Sequence, residues 1–429
     1  MTFAKKGSAP EPRSDVPVHG SRRRSGRYRL GAAYGWLLCA TGTSGLGNGL
    51  VLVAFPLLAV TLTRQPVEVA GVAVAGRLPW LVISLPAGAL ADRVDRRRLV
   101  VAVEAARAVA LAVFGLVVLA GQTSLAVLYL AAFSVGAFET AFSAATSASL
   151  PALVRADDLP KANGYLFAAE TAGGQFAGPA LGGLIFAWAR ALPFLGDAVS
   201  FAGSAAMLIP ALRPVHKLQR TSGLTLIGDL RVGLRWFRQH TLLRRLAAIV
   251  ATFAFCQSAV LSVLVLYGLR VLHLTPAGYG VFLAVGAIGD VAGSLLARRA
   301  HAYLGPARAI VVAGTVAATG YLTLAATSDT GVALFGYALE ATAVALGNVA
   351  TVSLRQRLIP TELFGRVNNA FRTCVYGAIP VGALVGGFLT ATVGLHAAFA
   401  SAGLVQLLLI AVMARRLTPE IARMAPPTT

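Results

Sequence analysis

Charge is scarce in this chain. Asp, Glu, Lys and Arg make up 13% of its 429 residues, against about 25% in an ordinary soluble domain. So few charges cannot coat a water-facing surface, which excludes a soluble enzyme of ordinary composition and a disordered polyelectrolyte. Acids are the scarcer sign, 17 against 37 Lys and Arg. Cysteine is scarcer still. Cys39, Cys256 and Cys374 each lie in an apolar stretch and make neither a disulfide framework nor a metal-ligand spacing; they read as small core hydrophobes. The six histidines are scattered, mostly in loops, so no metal site is expected. No Gly-x4-Gly-Lys-Ser/Thr phosphate loop occurs and no segment is large enough for a soluble nucleotide-binding domain. That argues against an ATP-driven pump, and no cofactor is expected.

What is abundant is apolar sequence, 57% of the chain. The class is an integral membrane protein. A net charge of +20 ordinarily invites a nucleic-acid reading, but such a module needs its basic residues on one solvated face. No nucleic-acid partner is expected here.

The chain divides by composition. Residues 1–29 are polar and basic, with Lys5, Lys6, Arg13, Arg22, Arg23, Arg24, Arg27 and Arg29. An apolar block covers 30–212, a basic linker 213–240, a second apolar block 241–416, and a short tail 417–429. A spanning helix needs about 20 apolar residues plus a turn, so each block accommodates six spans. Polar breaks agree, among them Thr63 to Pro66, Asp92 to Arg98, Arg155 to Asn163, Arg298 to Pro306 and Arg355 to Arg366. The expectation is an all-α protein of 12 transmembrane helices in two six-helix bundles. Ser21-Arg22-Arg23-Arg24 faintly suggests a twin-arginine signal, but the apolar run that follows is far too long for one, and no cleavage is expected. Leu37-Leu38-Cys39 lacks the small residue a lipidation site needs before its cysteine.

The basic residues give the orientation. With the first helix running outward, Arg64, Arg190 and Arg270 fall on one side, and Arg77, Arg107 and Arg372 within helices. All others fall on the side of the termini. By the positive-inside rule both termini and the central linker are cytoplasmic in a multi-pass protein of the cell membrane. The basic excess is mostly this topology signal, with some attraction to anionic lipid headgroups.

The two blocks repeat at an offset of about 205 residues. Gly88 to Arg93 falls on Gly293 to Arg298, Asn163 on Asn368, and Gly182-Gly183 on Gly386-Gly387. An even number of helices per repeat makes the bundles parallel, related by an axis along the membrane normal. These residues carry a resemblance. Gly88-Ala-Leu-Ala-Asp92-Arg93-Val-Asp95-Arg96-Arg97-Arg98 resembles the loop signature between helices 2 and 3 of the major facilitator superfamily. Gly174-x3-Gly178-Pro179-x2-Gly182-Gly183 resembles the helix-5 motif of its drug/proton antiporters. Gln356-x3-Pro360-x4-Gly365-Arg366-Val367-Asn368 resembles the matching stretch of the second half. Similarity to the macrolide-efflux and siderophore-exporter-like branch covers about residues 30–416, nearly the whole chain. It implies proton-coupled export of a small apolar or amphipathic molecule, by a monomer. Importer of a small metabolite is the alternative, and a membrane-embedded enzyme a remote one, since no serine–histidine or clustered His/Asp constellation is visible.

The motif residues also have a physics of their own. Glycines four apart let helices approach at backbone distance, which serves either packing or gating, and Pro179 is expected to kink helix 5. Asp92, closing helix 2 beside Arg93, Arg96 and Arg97, can stabilise a helix N-terminus in the other bundle. With Gly88, Gly365, Arg366 and Asn368 it forms the gating set that the resemblance implies. The chain departs from the family at four places: Asp95 stands where glycine is frequent, Ala297 replaces the acid of the second half, Asn48 stands where many relatives carry an acid, and helix 4 has no arginine.

Six acids fall within the expected helices: Glu104, Glu139, Glu170, Asp197, Asp290 and Glu340. A charge at bilayer depth costs about 2.5–3.5 kcal/mol on the mildest scale, so each needs a partner, water or a proton. Glu104 precedes Arg107 by one turn, an intrahelical pair, and Asp197 is expected near the outer interface. Glu139 and Glu340 fall deepest, with Glu170 and Asp290 next, and Arg77 and Arg372 are the expected buried cations. Burial raises a carboxyl's affinity for a proton and a nearby arginine lowers it, so an acid whose surroundings alternate can carry protons. These four acids serve either that role or a satisfied buried hydrogen bond.

Overall fold

The computed structural model describes residues 31–83, 94–147, 153–154, 158–211, 234–360 and 363–422. Its long elements are all helices. The first half holds α1 (Ala32–Leu62), α2 (Pro66–Val82), α3 (Arg96–Leu119), α4 (Leu125–Ser147), α5 and α6 (Leu192–Ala211). α5 consists of Leu159–Glu170, a π-helical segment Thr171–Ala177, and Gly178–Trp188. The second half begins with α7 (Thr241–Arg270). A helix over Pro276–Ala326 is broken by Gly305, whose φ of 71° only glycine takes readily. Unbroken, its 51 residues would be about 77 Å long, over twice the apolar thickness of a bilayer. The arms are α8 (276–304) and α9 (306–326). α10 (Thr330–Leu358), α11 (Phe364–Thr392) and α12 (Leu395–Ala422) complete the chain. Among the described residues, nine helices, counting Pro276–Ala326 once, are long and apolar enough to cross a membrane.

Starts and stops are written locally. Pro66 and Pro276 open α2 and α8, where a missing N–H leaves nothing unpaired. Asp95 caps α3, its Oδ1 accepting from the Arg98 N–H at 3.0 Å. Thr275 and Asp329 cap α8 and α10 in the same way, at 3.1 and 2.9 Å. Asp95 thus does at the head of α3 what glycine cannot.

The halves pack alike. α1 lies on α5 and α6 as α7 lies on α11 and α12; α3 lies on α4 and α6 as α9 lies on α10 and α12; α2 pairs with α4 as α8 pairs with α10. Between halves, α5 meets α8 and α2 meets α11. The repeated glycines perform repeated tasks. Gly182 and Gly386 press on α1 and α7 of their own half, at Leu50 and Ala259. Gly183 and Gly387 face the other half, at Gly280 and Val67. Each crossing is close enough that a side chain would meet backbone, so glycine is what sets the spacing. A buried core cluster runs through both halves, from Phe55, Phe114 and Phe194 to Tyr267, Phe282 and Phe399.

Candidate functional site

α1 and α12 place the described chain ends at one end of the bundle; the turn over 63–65 lies at the other, called here the far end. At the far end the halves touch. The backbone of Gly183 lies on that of Gly280, and Gly387 on Val67 and Pro66. The Arg270 guanidinium donates to the carbonyl of Arg64 at 3.1 Å, joining the α1–α2 turn to the end of α7. Below this seal α5 and α8 part around a cavity of about 1150 Å³.

Its walls come from α5, α7, α8, α10 and α11. They are mainly apolar, with Phe167, Phe176 and Phe253 and a few amides, Gln175, Gln257 and Asn348. Asp290 on α8 is the acid that lines it. Such a chamber suits a small molecule with a large apolar body and few polar groups. On the opposite flank α2 and α11 remain in contact lower down, where Trp80 meets the Tyr376 ring edge-on at 5.3 Å.

Behind Asp290 lies Glu340 on α10, buried, its Oε1 accepting from the Tyr321 hydroxyl on α9 at 2.7 Å. Gly320 and Gly336 let α9 and α10 approach closely enough for that bond. Tyr337, stacked on Phe282 at 5.0 Å, packs beside Gly286 of α8. Asp290 and Glu340 are within electrostatic reach of each other. Glu139, on α4, is half-buried and within reach of Glu104, Asp197 and Glu170. Glu170 is exposed, with its backbone against Gly45 of α1.

The expected cations do not meet these acids. Arg77 is exposed, and Arg372, also exposed, donates to its own helix neighbour Tyr376 at 2.8 Å. Among the described residues the buried cation is Arg107, 1% exposed, on α3. It lies 3.6 Å from Glu104 Oε1, donates to Asn48 Oδ1 at 2.8 Å, and has the Phe201 ring 3.9 Å from its guanidinium carbon. Asp197, in the second turn of α6, does not turn outward from the bundle. It is 0% exposed, turned inward onto α1, because Gly47 has no side chain to displace it. Asn48 accepts from the buried arginine.

α5 is irregular ahead of Pro179. The irregularity falls in the preceding turn, the π-helical Thr171–Ala177, with the Gly178 N–H bonded to the Gly173 carbonyl. A proline cannot donate to the turn before it, and a π turn is a common way for a helix to absorb that loss. Nothing in the sequence but the Gly173-Gly174 pair ahead of Gly178-Pro179 signals it. This segment supplies Thr171, Ala172, Gln175 and Phe176 to the cavity. Its other face, through Gly173, Gly174 and Gly178, lies on Gly42, Gly45, Leu46 and Gly49 of α1.

Of the gating residues, Gly88, Asp92 and Arg93 lie outside the described residues, as do the side chains of Arg96 and Arg366 and the surroundings of Gly365. Arg97 is half-buried in the first turn of α3. Asn368 accepts from Arg355 Nη1 at 2.9 Å, and Arg355 in turn lies over Phe371, clasping α10 to α11. Gly293, which the repeat matches to Gly88, lies against Thr342 of α10.

Residues 31–426 match the model of the family described as transmembrane secretion effector. The chain belongs to that family. The chain is 28% identical over 404 residues to the multidrug efflux pump Tap of Mycolicibacterium fortuitum, across 87% of this chain and 93% of that one. It is 28% identical over 382 residues to Tap of Mycobacterium tuberculosis, across 85% and 88%. Among solved structures, an inward-facing bacterial homologue of the lysosomal transporter Spinster superposes with a TM-score of 0.72 at 14% identity, over 93% and 98% of the two chains. An inward-facing bacterial homologue of the iron transporter ferroportin superposes with a TM-score of 0.70 at 17% identity, over 91% and 100%. These likenesses establish the major facilitator fold, and the chain is a multi-pass membrane protein.

Proposed function

We propose that this protein is a secondary active exporter of a small apolar or amphipathic molecule, working by alternating access and driven by inward movement of protons. The observation that carries the reading is the apolar cavity between the two halves, sealed at the far end by glycine crossings and lined, among the described residues, by one acid. The multidrug efflux pumps it resembles favour outward over inward cargo movement. The distribution of Lys and Arg favours twelve crossings with both termini cytoplasmic, in bundles 30–212 and 241–416, so that the cavity faces the cytoplasm and takes cargo there. The protein acts as a monomer, and it moves its cargo unchanged, without enzymatic chemistry.

Alternation exchanges the far-end seal for one at the terminal end. There Gly88, Asp92, Arg93, Arg96 and Arg97 of the first half, and Gly365, Arg366 and Asn368 of the second, hold the helix ends. Glu139 or Glu340 is the main proton carrier, with Glu170 and Asp290 behind them. One charge crossing about 100 mV gains about 2.3 kcal/mol, which is about a 50-fold cargo gradient at roughly 1.4 kcal/mol per decade. A single carboxyl therefore suffices energetically.

The test is transport of ethidium in sealed vesicles under an imposed pH gradient. The wild type concentrates the dye. Glu340→Gln loses uphill transport and keeps downhill exchange, because the pathway survives. Uphill transport retained by Glu340→Gln, Glu139→Gln, Glu170→Gln and Asp290→Asn alike refutes these acids as carriers.

A further inference from the structure

The first half contains a charged centre that touches no part of the cavity wall. Glu104 and Arg107 on α3 and Asp197 on α6 are each at most 1% exposed. Asn48 and Ser44 of α1 close it from one side, Asn48 accepting from Arg107 at 2.8 Å and Ser44 donating to Glu104 Oε1 at 3.4 Å. Ser200 donates to Asp197 Oδ1 at 2.9 Å, and Phe201 and Phe142 cover the guanidinium. Fully ionised, the centre holds two carboxylates against one guanidinium, a net negative charge in a bundle interior. The pairing is incomplete as well: Glu104 Oε2, Asp197 Oδ2 and Arg107 Nε are buried with no hydrogen-bond partner. Sealed, uncompensated charge is among the costliest features a protein interior can carry. No group of three His, Cys, Asp or Glu that could hold a metal ion converges among the described residues. One proton removes the excess and gives an orphaned oxygen its own donor hydrogen.

We propose that the Glu104–Arg107–Asp197 centre is a proton-binding site, and that the glycine run of α1 ties its occupancy to the state of the cavity. The inference rests on the transport reading above. The run Gly45-Leu46-Gly47-Asn48-Gly49 has two working faces. Gly47 and Asn48 lie against Asp197 and Arg107. Gly45 and Gly49 lie against Glu170, Gly174 and Gly178, on and beside the π-helical segment of α5 whose Thr171, Gln175 and Phe176 line the cavity. A shift of α5 that reshapes the cavity therefore moves α1 at backbone contact, and with it the Asn48 and Ser44 groups that hold the buried charges. Coupling of this kind needs such a packed element with two arrangements. The ionisable group facing the centre from α4 is Glu139, within reach of both buried acids; from α5 only Glu170 approaches, and its reach is to Glu139. Glu139, half-buried, is the group able to pass the proton onward.

Asp197→Asn and Glu104→Gln each leave one carboxylate for Arg107, so each centre is neutral without a proton, and either variant serves if the other fails to insert. Purified protein in lipid nanodiscs is measured by infrared difference spectroscopy across a pH titration, reading the deuterium-sensitive C=O stretch of a protonated carboxylic acid. In parallel, ethidium transport is measured in sealed vesicles. The expected result is a carboxylic-acid band present in the wild type and in Glu340→Gln, reduced in both variants, with uphill transport falling at least tenfold while downhill exchange stays within twofold. A band unchanged in both variants overturns the proposal. So does uphill transport at the wild-type rate, which would make the proton a fixed part of the fold. If the wild type itself moves no ethidium against its gradient, the transport reading fails instead, and the spectrum still reports whether the site binds a proton.

Discussion

Substituting Gly183 tests the far-end seal directly. A Cβ built on Gly183 lies 3.0 Å from the Cα and 3.1 Å from the N of Gly280, with the Pro276 carbonyl nearer still. Every one of these atoms is backbone, so no rotamer change relieves the overlap. Gly183→Ala must move α5 from α8. Overpacking of this kind costs about 1–3 kcal/mol, and the cost vanishes in any conformation where the two helix ends have separated. At about 1.4 kcal/mol per decade the ratio of far-end-open to sealed molecules rises about 5- to 140-fold. The assay is electron–electron distance spectroscopy between spin labels at Arg190 and His273, both exposed beside the seal, in a background with the three cysteines replaced. The longer distance gains population in Gly183→Ala and again in Gly387→Ala on the matching crossing. Gly203→Ala, with nothing within 4 Å of its added carbon, is the control and leaves the distribution alone. Wild-type distances in Gly183→Ala at full folded yield would refute the seal and the rigid crossing on which it depends.

Two further outcomes follow from the same geometry. Asp290→Asn removes the acid from the cavity wall, so affinity for a lipophilic cation such as ethidium falls about tenfold, the loss of one charge-assisted contact of about 1.5 kcal/mol, while a neutral dye of similar size binds as before; equilibrium fluorescence titration of both dyes checks this, and equal losses for the two would contradict it. Reporter fusions after Gly121 and after Arg220 report opposite sides of the membrane, the second cytoplasmic; a shared side would break the orientation read from the basic residues.

Much of the architecture is legible along the chain because the bilayer imposes it locally. Lipid offers no partner for a backbone N–H or C=O, so each apolar run must close its own hydrogen bonds as a helix. The repeat, the bundles and the pairing of Gly182-Gly183 with Gly386-Gly387 are visible for the same reason: they are patterns of residue type at fixed spacing. Even the break at Gly305 is announced by Arg298 to Pro306. The sequence alone also marks the buried acids, since a charge inside an apolar run is conspicuous.

Which charges meet is decided only in three dimensions. The rotation of each helix about its axis is weakly written when nearly every face is apolar, as in α1 and α4. Arg77 and Arg372 are as deep in sequence as Arg107, yet they turn to exposed faces while Arg107 turns to Asn48 and Phe201. Asp197 is drawn inward by the room that Gly47 leaves on a helix some 150 residues away, a contact outside the reach of any local pattern. The π turn of α5 arises from Pro179 under the constraint that α1 glycines lie against one face of it. The cavity itself is the space left where α5 and α8 cross at Gly183 and Gly280 and then diverge. Helix identity follows from solvation along one segment, but helix facing follows from steric fit between segments, and that fit exists only once the bundles have packed.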